Sequence, residues 1–508
     1  MSLFRTKSIE QSIAETTEAE YQLKKRLTAL DLVVFGVGVI VGAGIFTLTG
    51  RAAATVAGPS IVFSFALAAV CCGLAALCYA EFASTVPVSG SAYTFSYATL
   101  GEFIAWIIGW DLLLEMLLGA SVVAQGWSAY LQAFLERLGV IIPESVAYGS
   151  RFDLPAFLLV AALTVLITMG IKESMRVNLI LVAVKVFIVL FVIFAGLSFV
   201  NTANYSPFVP EAVPAEGAKA VMEAPLVQVL FGFTPTNFGL MGIFAGASLV
   251  FFAYIGFDVV ATTAEEAKNP GRDLPIGIIG SLVICTILYV SVTLVITGMV
   301  RYDQIATTAS LATAFEDVGK PGYATLIAAG AVAGLTTVVM TLLIGATRVL
   351  FAMSRDWLLP ASYGVTSPRT GTPVKICLSV GAVVALTAAL TPIGNLEYMV
   401  NIGTLAAFTL VSLAVPVLRK KRPDLKRAFT VPFSPALPWL AAAVAFYLML
   451  TLPVETWIRF ILWMVLGMLI YFLYSRHHSR MHVDAQRTAA EEARHAHLGG
   501  NPAGGGDS

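Results

Sequence analysis

The sequence predicts an all-α protein that crosses a membrane many times, and three observations carry the prediction. Of 508 residues, 58% are hydrophobic and only 12% are charged, where a soluble chain carries about 25% charged residues. Twelve apolar runs follow one another, each near the roughly 20 residues that a spanning helix needs. The first and sixth runs are both weakened by glycine at their centres, which divides the chain into two five-helix units and a final pair. The mean hydropathy is +0.83, and the formal net charge of zero offers nothing to nucleic acid.

In chain order the runs lie near 30–50, 59–82, 100–133, 154–171, 177–200, 241–262, 275–299, 322–353, 374–391, 395–418, 434–452 and 456–475. Segment 1–27 is a polar cytoplasmic lead-in, 28–475 is the twelve-helix core, and 476–508, rich in Ala, Gly, His and charge, reads as a disordered cytoplasmic tail. The first run is full length and follows a polar start, so it reads as a retained helix and not as a cleaved signal. Lys and Arg concentrate on the cytoplasmic side of spanning proteins. With both termini inside, 23 of the basic residues fall on inner segments and 7 on outer ones, while Lys185 belongs to neither. The long connection at about 201–240 then lies outside, and its apolar piece 226-LVQVLFGF-233 reads as a partly structured cap against the bundle.

Run one contains Gly36, Gly38, Gly42 and Gly44, and each glycine costs a helix interior roughly 0.5–1 kcal/mol relative to alanine. Gly36 and Gly38 read as packing positions, since small residues let membrane helices approach closely. The 42-GAG-44 stretch pairs with 253-AYIGF-257 in run six. Five spans is an odd number, so the second unit enters the membrane inverted. Interrupted spans at matching places of two inverted halves point to a transporter's binding site, because backbone leaves its helix at membrane depth only where it lines a cavity.

The titratable residues narrow the chemistry. All five histidines, His477, His478, His482, His495 and His497, lie in the tail. The core therefore has no histidine for a Ser-His hydrolase or a His-ligated zinc, and the phosphate-loop and metalloprotease signatures are missing too. The five cysteines all lie inside apolar runs and read as buried packing residues. The expectation is a protein that is not an enzyme and uses neither cofactor nor metal. Lys185 stands about eight residues into its helix, ~12 Å at 1.5 Å per residue, deeper than a side chain snorkels, so it reads as functional. Asp111 and Glu115 share one face of run three by their i, i+4 spacing. Glu115 is the better site candidate, and Asp111 is open between structural and functional roles. Asp258 follows the break in run six.

These residues bring the sequence to a resemblance. The stretches 42-GAGIF-46, 79-YAEFAS-84, 86-VPVSGSAYTFSY-97, 110-WDLLLE-115, 252-FAYIGFD-258, 264-AEEAKNPGRDLPIGI-278 and 348-RVLFAMSRDWLLP-360 closely resemble the cationic amino acid transporter branch of the amino acid–polyamine–organocation permease superfamily. The resemblance covers the core from about 28 to 475. It implies the leucine-transporter-like fold, a five-plus-five inverted repeat with helices one and six broken, plus two further helices. It implies that Ile40, Val41, Gly42, Ala43 and Gly44 meet the substrate, with the backbone at Val41, Gly42, Ala43 and Gly44 taking its carboxylate. Carbonyls around Phe252, Ala253 and Ile255 would take the α-ammonium, with Phe252 as an aromatic gate. Glu115 and Gly119 would line the side-chain pocket, with Met340 as the contribution of helix eight. Lys185 matches the helix-five lysine that stands in for a sodium ion and couples transport to protons, and Asp258 joins it in proton coupling. Relatives often carry a hydroxyl residue at the position of Ala43, so one side-chain hydrogen bond to the carboxylate is missing here.

The expected function is proton-coupled amino acid symport across the plasma membrane by alternating access. The partners are an amino acid, a proton and the lipid bilayer, with no nucleic acid, and nothing in the sequence sets an oligomeric state. An exchanger or a polyamine carrier is the alternative, and a channel fits less well because paired breaks replace a pore ring. Small and apolar residues at the site favour broad specificity including neutral amino acids, whereas Glu115 favours cationic ones.

Overall fold

The computed structural model describes residues 27–480 and residue 483, apart from 86–90, 171–174, 215–219, 233, 235, 262, 264–266 and 369. The lead-in before Leu27, most of the tail and parts of two quoted motifs lie outside the described residues.

Helix α1, Ala29–Ile40, starts on a reciprocal cap. The Thr28 hydroxyl accepts from the Asp31 N–H, and the Asp31 carboxylate accepts from the Thr28 N–H at 2.9 Å. After a break the chain resumes as a π-helical turn, Gly44–Leu48, and runs on through Thr49–Ala52 to Ala57. The further helices are α2 (Ile61–Thr85), α3 (Glu102–Arg137), α4 (Leu154–Thr168), α5 (Met175–Gly196) and α6 (Gly239–Val250). They are followed by α7 (Pro270–Met299), α8 (Pro321–Arg355), α9 (Val374–Leu390), α10 (Ile393–Lys421), α11 (Ala436–Leu450) and α12 (Val454–Ile470). Proline opens α7 and α8 at positions where its missing N–H costs nothing. Asp153 caps α4 by accepting from the Ala156 N–H at 3.0 Å.

Among the described residues eight segments are long and apolar enough to cross a membrane. The first is the joined stretch Ala29–Thr85, and α4, α9 and α11 are shorter apolar helices. Leu462, Leu466, Leu469 and Leu473 on and just beyond α12 are all exposed, as the apolar surface of a multi-pass membrane protein must be. Among the described residues the only sheet is a two-stranded pair, Val213–Pro214 with Thr236–Asn237. It belongs to the segment between α5 and α6, whose Leu226 N–H bonds the Leu452 carbonyl at 3.0 Å. That segment therefore rests on the α11–α12 turn.

Helix α3 is central, packed on α8, α9 and α10, while α7 holds α1 and α2. Helix α12 is fastened to α3 by indole chemistry. The Trp110 and Trp463 rings stack at 4.4 Å, and each indole N–H donates to the other residue's carbonyl, at 2.9 and 3.3 Å.

The end of the bundle where Leu27 lies is called the near end below, and the opposite end the far end. At the near end the buried Glu81 of α2 accepts from Arg419 Nε at 2.8 Å and from the Val431 N–H at 2.7 Å, with Arg427 at 3.6 Å. One carboxylate thus ties α2 to the end of α10 and to the loop before α11. Removing it leaves both guanidinium groups their carbonyl partners but no counter-charge, so Glu81→Ala is expected to cost about 1–3 kcal/mol, read as a lower melting temperature of the detergent-solubilised protein.

Candidate functional site

Two helices lose their backbone ladder in the bundle interior, and they do so where they touch. Helix α1 ends at Ile40, Val41 is extended with ψ 93, and helical structure resumes at Gly44. Helix α6 ends at Val250, tightens into a 3₁₀ turn over Phe251–Tyr254, and becomes extended at Ile255 with ψ 135. Gly256 has φ +118, a conformation that side chains rarely adopt, and a short half-helix, Phe257–Ala261, follows. A Cβ on Gly44 would run into the Cα and Cβ of Ala253. Glycine there is what lets the two interrupted backbones approach.

Each half-helix end leaves N–H or C=O groups without intrahelical partners. Some are taken by side chains. The Tyr289 hydroxyl of α7 lies 2.7 Å from the Ile40 carbonyl and 2.8 Å from the Ala253 carbonyl, one from each break. A hydroxyl has a single proton to donate, so it serves both carbonyls only by sharing. Asn401 of α10 donates to the Leu249 carbonyl at 3.1 Å. On the far side of the α1 break the Thr47 hydroxyl donates to the Ala43 carbonyl, and the Tyr130 hydroxyl of α3 donates to the Phe46 carbonyl at 2.7 Å.

The residues singled out in the sequence fall as follows. Ile40, Val41, Ala43, Phe252 and Ala253 are all buried, while Ile255 is partly so. Gly42 faces Val338 of α8, which a Cβ would approach to 3.1 Å. Gly119 of α3 faces two site neighbours at once, since a Cβ there would lie 3.6 Å from Leu342 Cδ1 and 3.9 Å from Phe252 Cε2. Helix α8 therefore turns Val338 and Leu342, one turn apart, toward the breaks. Met340 stands two residues from each, about 160° round a helix of 3.6 residues per turn. Met340, the residue that the sequence analysis names for helix eight, is partly buried against the core, and only the packing shows that Val338 and Leu342 are the residues of α8 that meet Gly42 and Gly119.

Lys185 is 2% exposed, and its ammonium donates to the Gly38 carbonyl at 2.8 Å. Gly334 of α8 makes room for its stem, because a Cβ there would come within 2.8 Å of Lys185 Cγ. Gly36 and Gly38 pack as small residues do: Gly36 lies on Ser281 of α7, and Gly38 on Val182 of α5. Asp258 is buried in the first turn of the near half of helix six, with the Gly256 and Val259 N–H groups about its carboxylate. Its charged neighbourhood is Glu115, itself buried and faced by Thr404 of α10.

Toward the far end, Arg51 of the continued first helix pairs with the buried Glu397 of α10. From sequence the first run closes at residue 50 and Arg51 counts as an outer loop residue; instead the helix runs past it, and the charge is used inside the bundle. Tyr148, an electrostatic neighbour of this pair, also lines a cavity of about 390 Å³ together with Gln132, Arg137 and Glu316. Tyr289, Asn401 and Glu397 are functional candidates that the sequence reading misses. Polar groups inside apolar runs were the available signal for Asn401 and Glu397, whereas a tyrosine in an apolar helix looks like packing.

A family model described as amino acid permease matches residues 27–471. The chain is 46% identical over 489 residues to a branched-chain amino acid permease, BcaP, of Bacillus subtilis (strain 168), covering 94% of this chain and 99% of that one. It is 42% identical over 484 residues to a methylthioribose transporter of the same organism, covering 94% and 99%. It is 39% identical over 428 residues to the vacuolar cationic amino acid transporter 4 of Arabidopsis thaliana, covering 83% and 68%.

Proposed function

The chain belongs to the amino acid permease family, and from that premise we propose that it is a proton-coupled amino acid symporter of the plasma membrane, working by alternating access. In this reading twelve helices cross the membrane, α1–α5 and α6–α10 form inverted halves, and the near end, with both termini, is cytoplasmic. The observation that carries it is the contact between two broken helices at Gly44 and Ala253, bridged by Tyr289.

The broken ends suit the groups that all amino acids share. The helix resuming at Gly44 presents free N–H groups and the positive end of its dipole, which favour a carboxylate. The carbonyls of Ile40 and Ala253 share the one Tyr289 proton and keep acceptor capacity for an α-ammonium. Binding both groups draws the halves together around the substrate. The Arg51–Glu397 pair then ties the far half of helix one to α10, a tie that has to open before substrate enters from the far side.

Selectivity falls to the side-chain pocket. Gly119, Leu342 and Phe252 converge, which favours an apolar side chain, in keeping with the branched-chain specificity in the name of one relative. Glu115, one turn from Gly119 on α3, favours the cationic reading that other relatives' names suggest. We take neutral amino acids, branched-chain ones included, as the preferred substrates. Uptake of labelled leucine into proteoliposomes under an inward proton gradient, in competition with alanine, valine, arginine and lysine, tests this directly. Stronger competition by arginine and lysine than by valine decides for the cationic reading. Shortening Leu342 to alanine is expected to weaken leucine competition roughly tenfold, the scale of lost methylene contacts in an apolar pocket, and to improve that of bulkier side chains. An unchanged ranking removes Leu342 from the pocket.

A further inference from the structure

Asp111 of α3 is 1% exposed, and among the described residues neither of its oxygens has a hydrogen-bond partner. Among the described residues it is the one buried carboxylate for which this holds on both oxygens. It lies one turn nearer the near end than Glu115 and faces α10 at Gly403, where a Cβ would stand 2.9 Å from Asp111 Oδ1. Asp111, Glu115 and Asp258 together surround Tyr79 of α2 closely enough to act on it electrostatically, and the Tyr79 hydroxyl also has no partner among the described residues.

Among the described residues the surroundings supply no positive charge. Helix α8 meets this part of α3 with Gly345 against Met116 and Met353 against Gly109, and α12 meets it with Trp463 against Trp110. The short helix Ser91–Thr99 brings Tyr93 against Gly109, but its hydroxyl donates to Asp356 at 2.7 Å. Helix α10 adds Thr404, which faces Glu115. The ionisable groups about Asp111 are thus Glu115, Asp258, Tyr79 and, farther toward the near end, Tyr93 with Asp356. None is basic, and among the described residues no salt bridge or basic side chain reaches Asp111.

Three buried carboxylates about one tyrosine repel each other when ionised, and a buried ionised carboxylate without donors is costly. A cation must share the cluster. Among the described residues no three His, Cys, Asp or Glu side chains are placed to hold a metal ion, whereas a proton needs only one carboxylate oxygen. We propose that Asp111 is a proton-binding site on the near-end side of the substrate site. The carboxylic acid O–H is intact while the near half is packed around it. When the near end opens, water reaches Asp111, accepts its proton and leaves a hydrated carboxylate; rebinding a proton restores the neutral group and permits repacking. Its consequence for transport rests on the symport reading above, but proton occupancy does not.

The test reads the proton directly. Protein carrying ¹³C-carboxyl aspartate in lipid vesicles is examined by infrared difference spectroscopy at neutral pH for the C=O stretch of a protonated aspartic acid. The expected result is a band in the parent that persists in Asp258→Asn and disappears in Asp111→Asn. A parent without the band, or Asp111→Asn with its full intensity, overturns the proposal. Should Asp111→Asn not fold, the labelled parent and Asp258→Asn decide, since a band lost in the latter assigns the proton to Asp258 and overturns the site at Asp111. In transport, Asp111→Asn is expected to lose most of the response of uptake to an imposed proton gradient while keeping its substrate-induced thermal shift. If the parent itself shows no gradient response, the symport reading fails and the spectroscopic result still stands.

Discussion

Gly44→Ala is expected to abolish substrate binding while leaving a protein that inserts and folds. Two effects of opposite sign meet at this residue. As helix chemistry, alanine is better than glycine by roughly 0.5–1 kcal/mol, and Gly44 opens a helical turn. As packing, the new Cβ runs into the Cα and Cβ of Ala253. A backbone atom has no rotamer to escape into, and overpacking costs typically 1–3 kcal/mol, occasionally more. Packing wins, and it acts by pushing apart the two breaks whose carbonyl and N–H groups meet one ligand in the proposed site. Gly42→Ala is the control: its Cβ would stand 3.1 Å from a Val338 methyl, a side chain with some freedom, so binding should weaken without vanishing. The measurement is the thermal stabilisation given by saturating leucine. A Gly44→Ala protein stabilised as much as the parent would show that the breaks do not form the site.

How much of this was legible in the sequence depends on what each residue had to announce. The break in helix one is visible because four glycines crowd one apolar run, a costly choice without a reason in local structure. The break in helix six is visible because Gly256 is followed closely by Asp258, where a spanning helix has no use for an acid. Lys185 declares itself by charge alone. The face of α8 was hidden, because glycine, alanine, threonine and valine occur all round it, and no stripe separates Val338 and Leu342 from Met340. Tyr289 was hidden because its role lies in the hydroxyl, while its ring fits any buried helix; the ring packs on Phe65 and Tyr254 like an ordinary core residue. Arg51 was misread because a basic residue after an apolar run looks like the end of a span. Its partner, Glu397, lies 346 positions away, and that pairing exists only once the two halves are folded together.

Lys185→Ala is expected to end the concentration of substrate against its gradient while leaving binding in place. The ammonium donates to the Gly38 carbonyl in the last turns of α1, just before the break, so its protonation state bears on how firmly the near half of helix one is held to α5. Gly334 is needed for the stem to pass, which makes the position specific for a slim, flexible cation. In the symport reading, a proton that arrives and leaves here changes one contact of the half-helix that alternating access would move. A purely structural lysine predicts something different: its removal lowers stability and binding together, because a buried carbonyl loses a donor, at a cost of about 1–3 kcal/mol. Lys185→Met separates the two roles, since it keeps most of the stem's volume without the charge. Both variants are expected to bind leucine and to exchange it across vesicles at equal pH, but to accumulate none when an inward proton gradient is imposed. Accumulation by Lys185→Met at the parent's level would sink the coupling role and leave Lys185 as a structural tie between α5 and α1.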